Sequence, residues 1–187
     1  MIILASQSPR RQQLMKQDIT SDFVVMVSDA DETVDSSLTP LEAVQAIAKR
    51  KGDKIHMQNP HDLVISADTI VVIDDQIIGK PKDKKDAKRI LHLLSNRTHE
   101  VITAFCLYKD DAFVEKYVSS FVTFNDLSEE LIDAYIASGS PMDKAGAYGM
   151  QDNNDFKIVK SYEGSAKNII GFPSEEILEE LKRGKLL

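Results

Sequence analysis

The chain has 187 residues, with 23 Lys+Arg against 30 Asp+Glu, a formal net charge of -7 and 42% hydrophobic residues. At that length a single globular domain of two lobes at most can bury its own core, so neither disulfides nor a structural metal are needed. The lone cysteine, Cys106, excludes an internal disulfide and every Cys-based zinc or redox motif, and the acidic balance argues against a general binder of nucleic acid or anionic membrane.

In chain order, the apolar run at 2–5 predicts a buried strand, followed by Ser6, Ser8, Pro9, Arg10 and Arg11 at the head of a helix that runs to about residue 17. Ser8 suits the N-cap and Pro9 the first helical position. Residues 23–27 predict a second strand that ends in an acidic turn containing Asp31 and Glu32. Thr39, Pro40 and Glu42 form a capping box for a helix over 40–56. The β-branched runs 63–65 and 70–73 predict two strands separated by Ser66, Ala67, Asp68 and Thr69, with Asp74 and Asp75 turning the chain back through 76–78.

Gly79, Lys80 and Pro81 precede a charged helix over 83–94. Strands over 101–108 and 113–124 are joined as a hairpin at 109–111, and Cys106 falls in the apolar middle of the first. Ser128 caps a helix that ends near Gly139, residues 140–172 read as glycine-shaped loops, and a last helix runs from Ser174 to Gly184. Helices and hairpins interleaved in this way predict an α/β domain with a mixed, partly antiparallel sheet. No run of eighteen apolar residues suggests a membrane span, and the opening segment lacks a signal-peptide core, so the expected setting is cytoplasmic.

Hydroxyls, free backbone N–H groups and two guanidinium groups at one helix N-terminus can form a phosphate cup; the same hexapeptide also reads as a well-capped surface helix with solvated arginines. Lys51 is more pointed. With Leu41 at 0° and 100° per residue, Lys51 falls at ~280°, inside the apolar arc of Val44, Ile47, Ala48 and Ile55. An inward lysine calls for an anion. Asp68 interrupts an apolar stretch and needs a hydrogen-bonding, cationic or metal partner if buried; on this segment alone, a cap on a tight turn between two strands is the favoured reading.

Lys80 alone reads as a turn lysine, and the basic 80–89 window as the wet face of a helix rather than a nucleic-acid patch, because Asp83 and Asp86 are interleaved. His56, His61, His92 and His99 show no metal spacing, and no Walker loop, GxGxxG or serine-nucleophile motif occurs. What remains is a set of cations and carboxylates at strand and helix ends, a combination suited to metal-assisted chemistry on a polyphosphate.

The segments LASQSPRR at 4–11, DE at 31–32, IAKRK at 47–51, SADT at 66–69, GKP at 79–81, THEVITA at 98–104, DKAGAYGMQ at 143–151 and NIIGFP at 168–173 stand in order across essentially the whole chain. In these blocks the chain closely resembles Maf proteins, a family of nucleoside triphosphate pyrophosphatases. The resemblance implies one Maf/ITPase-like domain over 1–187, an elongated mixed sheet with a cleft between two lobes. It further implies cleavage of a nucleoside triphosphate between the α and β phosphates, giving a monophosphate and pyrophosphate, with a divalent cation, Mg²⁺ or Mn²⁺.

On the same resemblance Asp68 is the proton acceptor, Glu32 a metal ligand beside it, and Ser6, Arg10, Arg11, Lys51 and Lys80 line the phosphate site. Arg10, Thr69 and Gln151 have the form of the branch acting on dTTP and UTP, and an amide such as Gln151 can offer a donor and an acceptor to a pyrimidine edge. Modified pyrimidine triphosphates are plausible natural targets. Homodimers are common among such relatives, and a nucleotide-sensing regulator of septation with little hydrolysis is the alternative function.

Four features depart from the pattern: Gln7, Met142, Asp152 and the 163–168 segment. Asp152 stands beside the expected base pocket, where a carboxylate is expected to alter base preference or repel phosphate.

Overall fold

A computed structural model describes all of residues 1–187. The chain folds as β1 (Ile2–Leu4), α1 (Pro9–Asp18), β2 (Val24–Val25), α2 (Pro40–His56), β3 (Leu63–Ile73), β4 (Gln76–Ile78), α3 (Lys84–Leu94), β5 (Thr98–Lys109) and β6 (Ala112–Phe124). It continues through α4 (Glu129–Ala137), three short 3₁₀ turns over 140–152, α5 (Asn153–Phe156), β7 (Val159–Glu163), α6 (Ala166–Ile170) and α7 (Ser174–Arg183). The sheet order is β2-β1-β3-β5-β6-β7, with β4 on the upper part of β3. β1 lies parallel to β2 and β3, whereas β3, β5, β6 and β7 are antiparallel in succession, which gives the expected mixed sheet.

Side-chain alternation on the long central strands distributes the core. Ala104 and Cys106 of β5 pack with Val44, Ala48 and Ile55 of α2, while Phe105 and Leu107 meet Leu14 and Met15 of α1 and Ile177 and Leu181 of α7 on the opposite face. At the far end of the sheet, Val71, Val101, Val122 and Phe124 pack with Ile90 and Leu91 of α3 and Ile132 and Tyr135 of α4. No helix is long and apolar enough to cross a membrane.

The largest correction concerns β3. It is continuous over eleven residues, so Asp68 caps no turn. Ser66, Ala67, Asp68 and Thr69 pair in register with Cys106, Phe105, Ala104 and Thr103, in a stretch of β3 that has neither β1 nor β4 on its other side. The turn after β3 is as expected: Asp74 and Asp75 both have positive φ, at 51° and 58°, the backbone of a two-residue hairpin loop.

The second strand shrinks to Val24–Val25, since β1 is only three residues long and offers no more ladder. The 140–172 region is less loop-like than expected and contributes the edge strand β7. In the basic window, Lys88 pairs with Glu129 and Asp133, Arg89 pairs with Asp86, and Ala87, Ile90, Leu91 and Leu94 are buried, as expected of a helix with one wet face.

Candidate active site

The β1–α1 junction builds one wall. Ser8 caps α1 by accepting from the Arg11 N–H, Pro9 opens the helix, and no acidic residue stands in its first turn. Cations at a helix N-terminus oppose the macrodipole, so Arg10 and Arg11 there are unfavourable unless something anionic joins them. Arg11 is held rigidly: Nε donates to the Gly171 carbonyl at 2.8 Å, Nη2 to Thr69 Oγ1 at 3.0 Å and Nη1 to Ser6 Oγ at 3.2 Å. Burial lowers its pKa, opposed by the nearby Asp68 carboxylate and aided by Arg10. Arg10 reaches Asp143 at 3.3 Å.

Gly171 ends α6 with φ at +111°, and an added Cβ would stand 3.2 Å from Thr69 Oγ1. Glycine at this point frees the backbone carbonyl to hold Arg11 from the far side of the cleft.

Lys51 meets its anion inside the protein. Its Nζ lies 2.7 Å from Asp68 Oδ1 and 3.0 Å from Glu32 Oε1. Helix α2 lies against β3, so the inward arc of the helix points Lys51 at the middle of the strand. Glu32 belongs to an irregular segment and is more exposed, but Arg50 brackets it by donating to the carbonyls of Asp31, at 3.1 Å, and Thr33, at 2.8 Å.

The third wall is the segment from Asp143 to Gln151, and the turn that bears Lys80 is joined to it where the Gly146 N–H donates to the Gly79 carbonyl at 3.1 Å. Together these walls enclose a cleft of about 580 Å³, within the usual range for a small-molecule site. All nine candidates, Ser6, Arg10, Arg11, Glu32, Lys51, Asp68, Thr69, Lys80 and Gln151, line it. Lys80 is exposed and forms no ion pair within the protein, which leaves its charge available in the cleft. Of the three carboxylates that line the cleft, Asp143 is engaged by Arg10 and Lys144, while Glu32 and Asp68 meet at Lys51 and could hold a cation; no cluster of three metal-ligating side chains exists. Two carboxylates with substrate phosphates are a donor set that suits Mg²⁺, which keeps most of its remaining sites for water.

For Asp152 the expectation of repulsion toward phosphate is corrected. The residue does not line the cleft; its Oδ2 accepts from Tyr135 Oη at 2.6 Å and from Ser140 Oγ at 2.7 Å. Partners on α4 and in the following turn turn the carboxylate away from the cleft, so it is not aimed at a bound phosphate. Sequence reasoning also missed Asp143, Lys144 and Tyr148, which share the lining. They stand in the DKAGAYGMQ segment, which signalled them only as a block. The carbonyl of Gly171 left no signal at all, being backbone.

The Maf-like protein family model matches residues 1–184. The dTTP/UTP pyrophosphatase of Bacillus anthracis is 40% identical over 182 residues, covering 97% of this chain and 94% of that protein. The dTTP/UTP pyrophosphatase of Bacillus cereus shows the same identity and coverage. Among solved structures, the Staphylococcus aureus Ham1 protein superposes with a TM-score of 0.53 at 12% identity and covers 98% of both chains, a likeness of fold. With its mixed seven-stranded sheet, its cleft and a family match over nearly its whole length, this chain belongs to the Maf-like protein family.

Proposed function

We propose that the chain hydrolyses dTTP and UTP, and modified pyrimidine triphosphates of the same shape, to the monophosphate and pyrophosphate. The observation that carries this reading is the convergence of Lys51, Asp68 and Glu32 in a cleft that also holds Arg10, Arg11 and Lys80. A triphosphate brings several negative charges. The guanidinium groups at the α1 N-terminus and the Lys80 ammonium are placed to bind and orient them.

Asp68 acts as proton acceptor. Lys51 and the β3 ladder hold it, with Oδ1 on the ammonium and Oδ2 without a protein partner, so Oδ2 is free to take a proton from the attacking water. The water oxygen bonds to the α-phosphorus as the bond from that phosphorus to the α–β bridging oxygen breaks, the bridging oxygen leaves with pyrophosphate, and the water's proton passes to Asp68. Glu32 and Asp68 would hold a divalent cation, Mg²⁺ or Mn²⁺, which when bound neutralises phosphate charge. Thr69, fixed by Arg11 and by Thr103 at 2.9 Å, keeps the floor of the site in register. Gln151 supplies a paired donor and acceptor for a pyrimidine edge.

The relatives named dTTP/UTP pyrophosphatase support the enzyme over a regulator that only binds nucleotide. Buried, unpaired Cys106 fits a reducing, cytoplasmic setting. The test is pyrophosphate release from dTTP, UTP, CTP, 7-methyl-GTP and 5-methyl or pseudouridine triphosphates, with Mg²⁺, Mn²⁺ or chelator. Metal-dependent release concentrated on dTTP, UTP and their modified forms is expected. Tight binding of dTTP without release would move the function to nucleotide sensing.

A further inference from the structure

Gln151 stands on a short 3₁₀ turn, Met150–Asp152, a form of backbone too short to hold an exposed side chain on its own. Both ends of that turn are fastened to one buried hydroxyl. Tyr135, fully buried in α4, accepts the Gly149 N–H on its oxygen at 3.1 Å and donates to Asp152 Oδ2 at 2.6 Å. Ser140 Oγ donates to the same Oδ2 at 2.7 Å. Ser140 is itself gripped by Lys144, whose Nζ lies 3.0 Å from Ser140 Oγ and 2.9 Å from Asp143 Oδ1, and Asp143 meets Arg10 at 3.3 Å. A continuous polar chain therefore joins the phosphate wall to the turn that bears Gln151.

The turn is also closed from above. A Cβ on Gly149 would stand 2.8 Å from Lys144 Cε and 3.1 Å from Gln151 Oε1, so the glutamine amide lies directly over the glycine backbone. The amide oxygen thus rests against Gly149, while the residues flanking the turn are tied to Tyr135.

From this arrangement we propose that Asp152 is a positioning residue for base selection: with Tyr135 and Ser140 it forms a clamp that sets the angle at which Gln151 presents its donor and acceptor. This rests on the proposed reading of Gln151 as the residue that meets the pyrimidine. A hydrogen-bonding site discriminates strongly only when its groups are held in one geometry, because a misplaced amide serves several bases equally.

The test compares kcat and KM for dTTP and CTP, with Mg²⁺, in the full chain and in Asp152→Ala, Asp152→Asn, Tyr135→Phe, Gln151→Ala and the double variant Gln151→Ala/Asp152→Ala, with thermal melting of each. Asp152→Ala is expected to lower kcat/KM for dTTP about tenfold, chiefly through KM, and to reduce the dTTP:CTP preference. Tyr135→Phe, which keeps the ring in place, is expected to do the same if Asp152→Ala fails to fold. Asp152→Asn restores most of the preference, since its amide oxygen can accept both hydroxyls. The double variant is no worse than Gln151→Ala, because Asp152 acts through Gln151.

An unchanged dTTP:CTP ratio in folded Asp152→Ala and Tyr135→Phe, or losses that multiply in the double variant, would overturn the clamp while leaving the proposed function standing. A parent enzyme with no preference among bases would overturn the role of Gln151 and the clamp with it.

Discussion

Lys51 and Asp68, seventeen residues apart in sequence, form a 2.7 Å ion pair in which each side chain is only 14% exposed, and Glu32, 64% exposed, meets the same ammonium. One cation thus ties a rigid carboxylate in the sheet to a loose one in a loop. Lys51→Met keeps the helix and removes the tie, leaving the mostly buried Asp68 without its partner. The expected result is a loss of about 10² in kcat/KM. Destabilisation should stay near 1–2 kcal/mol, below the cost of breaking a fully buried pair, because Asp68 lines the cleft, where water can reach it. Kinetics with a denaturant melt on one preparation checks both; full activity would remove Lys51 from the site.

Asp68→Asn separates chemistry from structure. The amide is isosteric with the carboxylate and its oxygen can still accept from Lys51, so the fold is expected to survive. A proton acceptor is lost, however, and turnover should fall by about 10² or more. Parent-like turnover in a folded variant would reject the role.

Much of this site was legible in the residues, for identifiable reasons. Lys51 was found because helical periodicity is geometric and a charge inside an apolar arc stands out. Asp68 was found for its polarity among apolar neighbours, but its setting was misread: a strand with one polar patch looks locally like two strands and a turn. Only the ladder to Cys106, Phe105, Ala104 and Thr103 shows otherwise. Strand β7 escaped because four of its five residues are exposed and Lys160 and Glu163 give it the polar face of a guarded edge. The orientation of Asp152 depends on Tyr135, seventeen residues away on another helix, and no local pattern encodes it.

His99 gives the protein a built-in acid sensitivity. It is 2% exposed, its Nε2 lies 2.7 Å from Tyr148 Oη, its Nδ1 has no partner, and burial pushes its pKa down to about 4. Because the folded value lies below the unfolded value near 6.5, the unfolded chain binds more protons between them. The stability from neutral His99 is therefore complete above about pH 6.5 and is lost as pH falls toward 4, an effect of roughly 3 kcal/mol. Surface carboxylates held below their ordinary values, such as Asp29, Asp35 and Glu42, add acid sensitivity at lower pH, so the comparison must be with a variant. His99→Gln should be less stable at pH 7.5 but show a shallower decline between pH 6.5 and 4.5. Parallel stability curves for the two proteins would remove His99 as the cause.

Arg11 and Lys80 carry the same charge into the same cleft but should fail differently. Arg11 is threaded through the core of the site, and Arg11→Ala strips donors from the Gly171 carbonyl, Thr69 and Ser6 at once. Lost packing and orphaned acceptors are expected to destabilise the protein by about 2–3 kcal/mol while kcat falls and KM rises. Lys80 is exposed and bonded to nothing in the protein, so Lys80→Ala should leave stability within about 0.5 kcal/mol. Its effect should be kinetic: a higher KM and a weaker dependence of kcat/KM on ionic strength, since one cation facing the triphosphate is gone. Steady-state rates at low and high salt, set beside thermal melts, separate the two. If Lys80→Ala destabilises the fold or leaves both KM and the salt dependence untouched, then Lys80 belongs to the framework of the cleft and meets no phosphate.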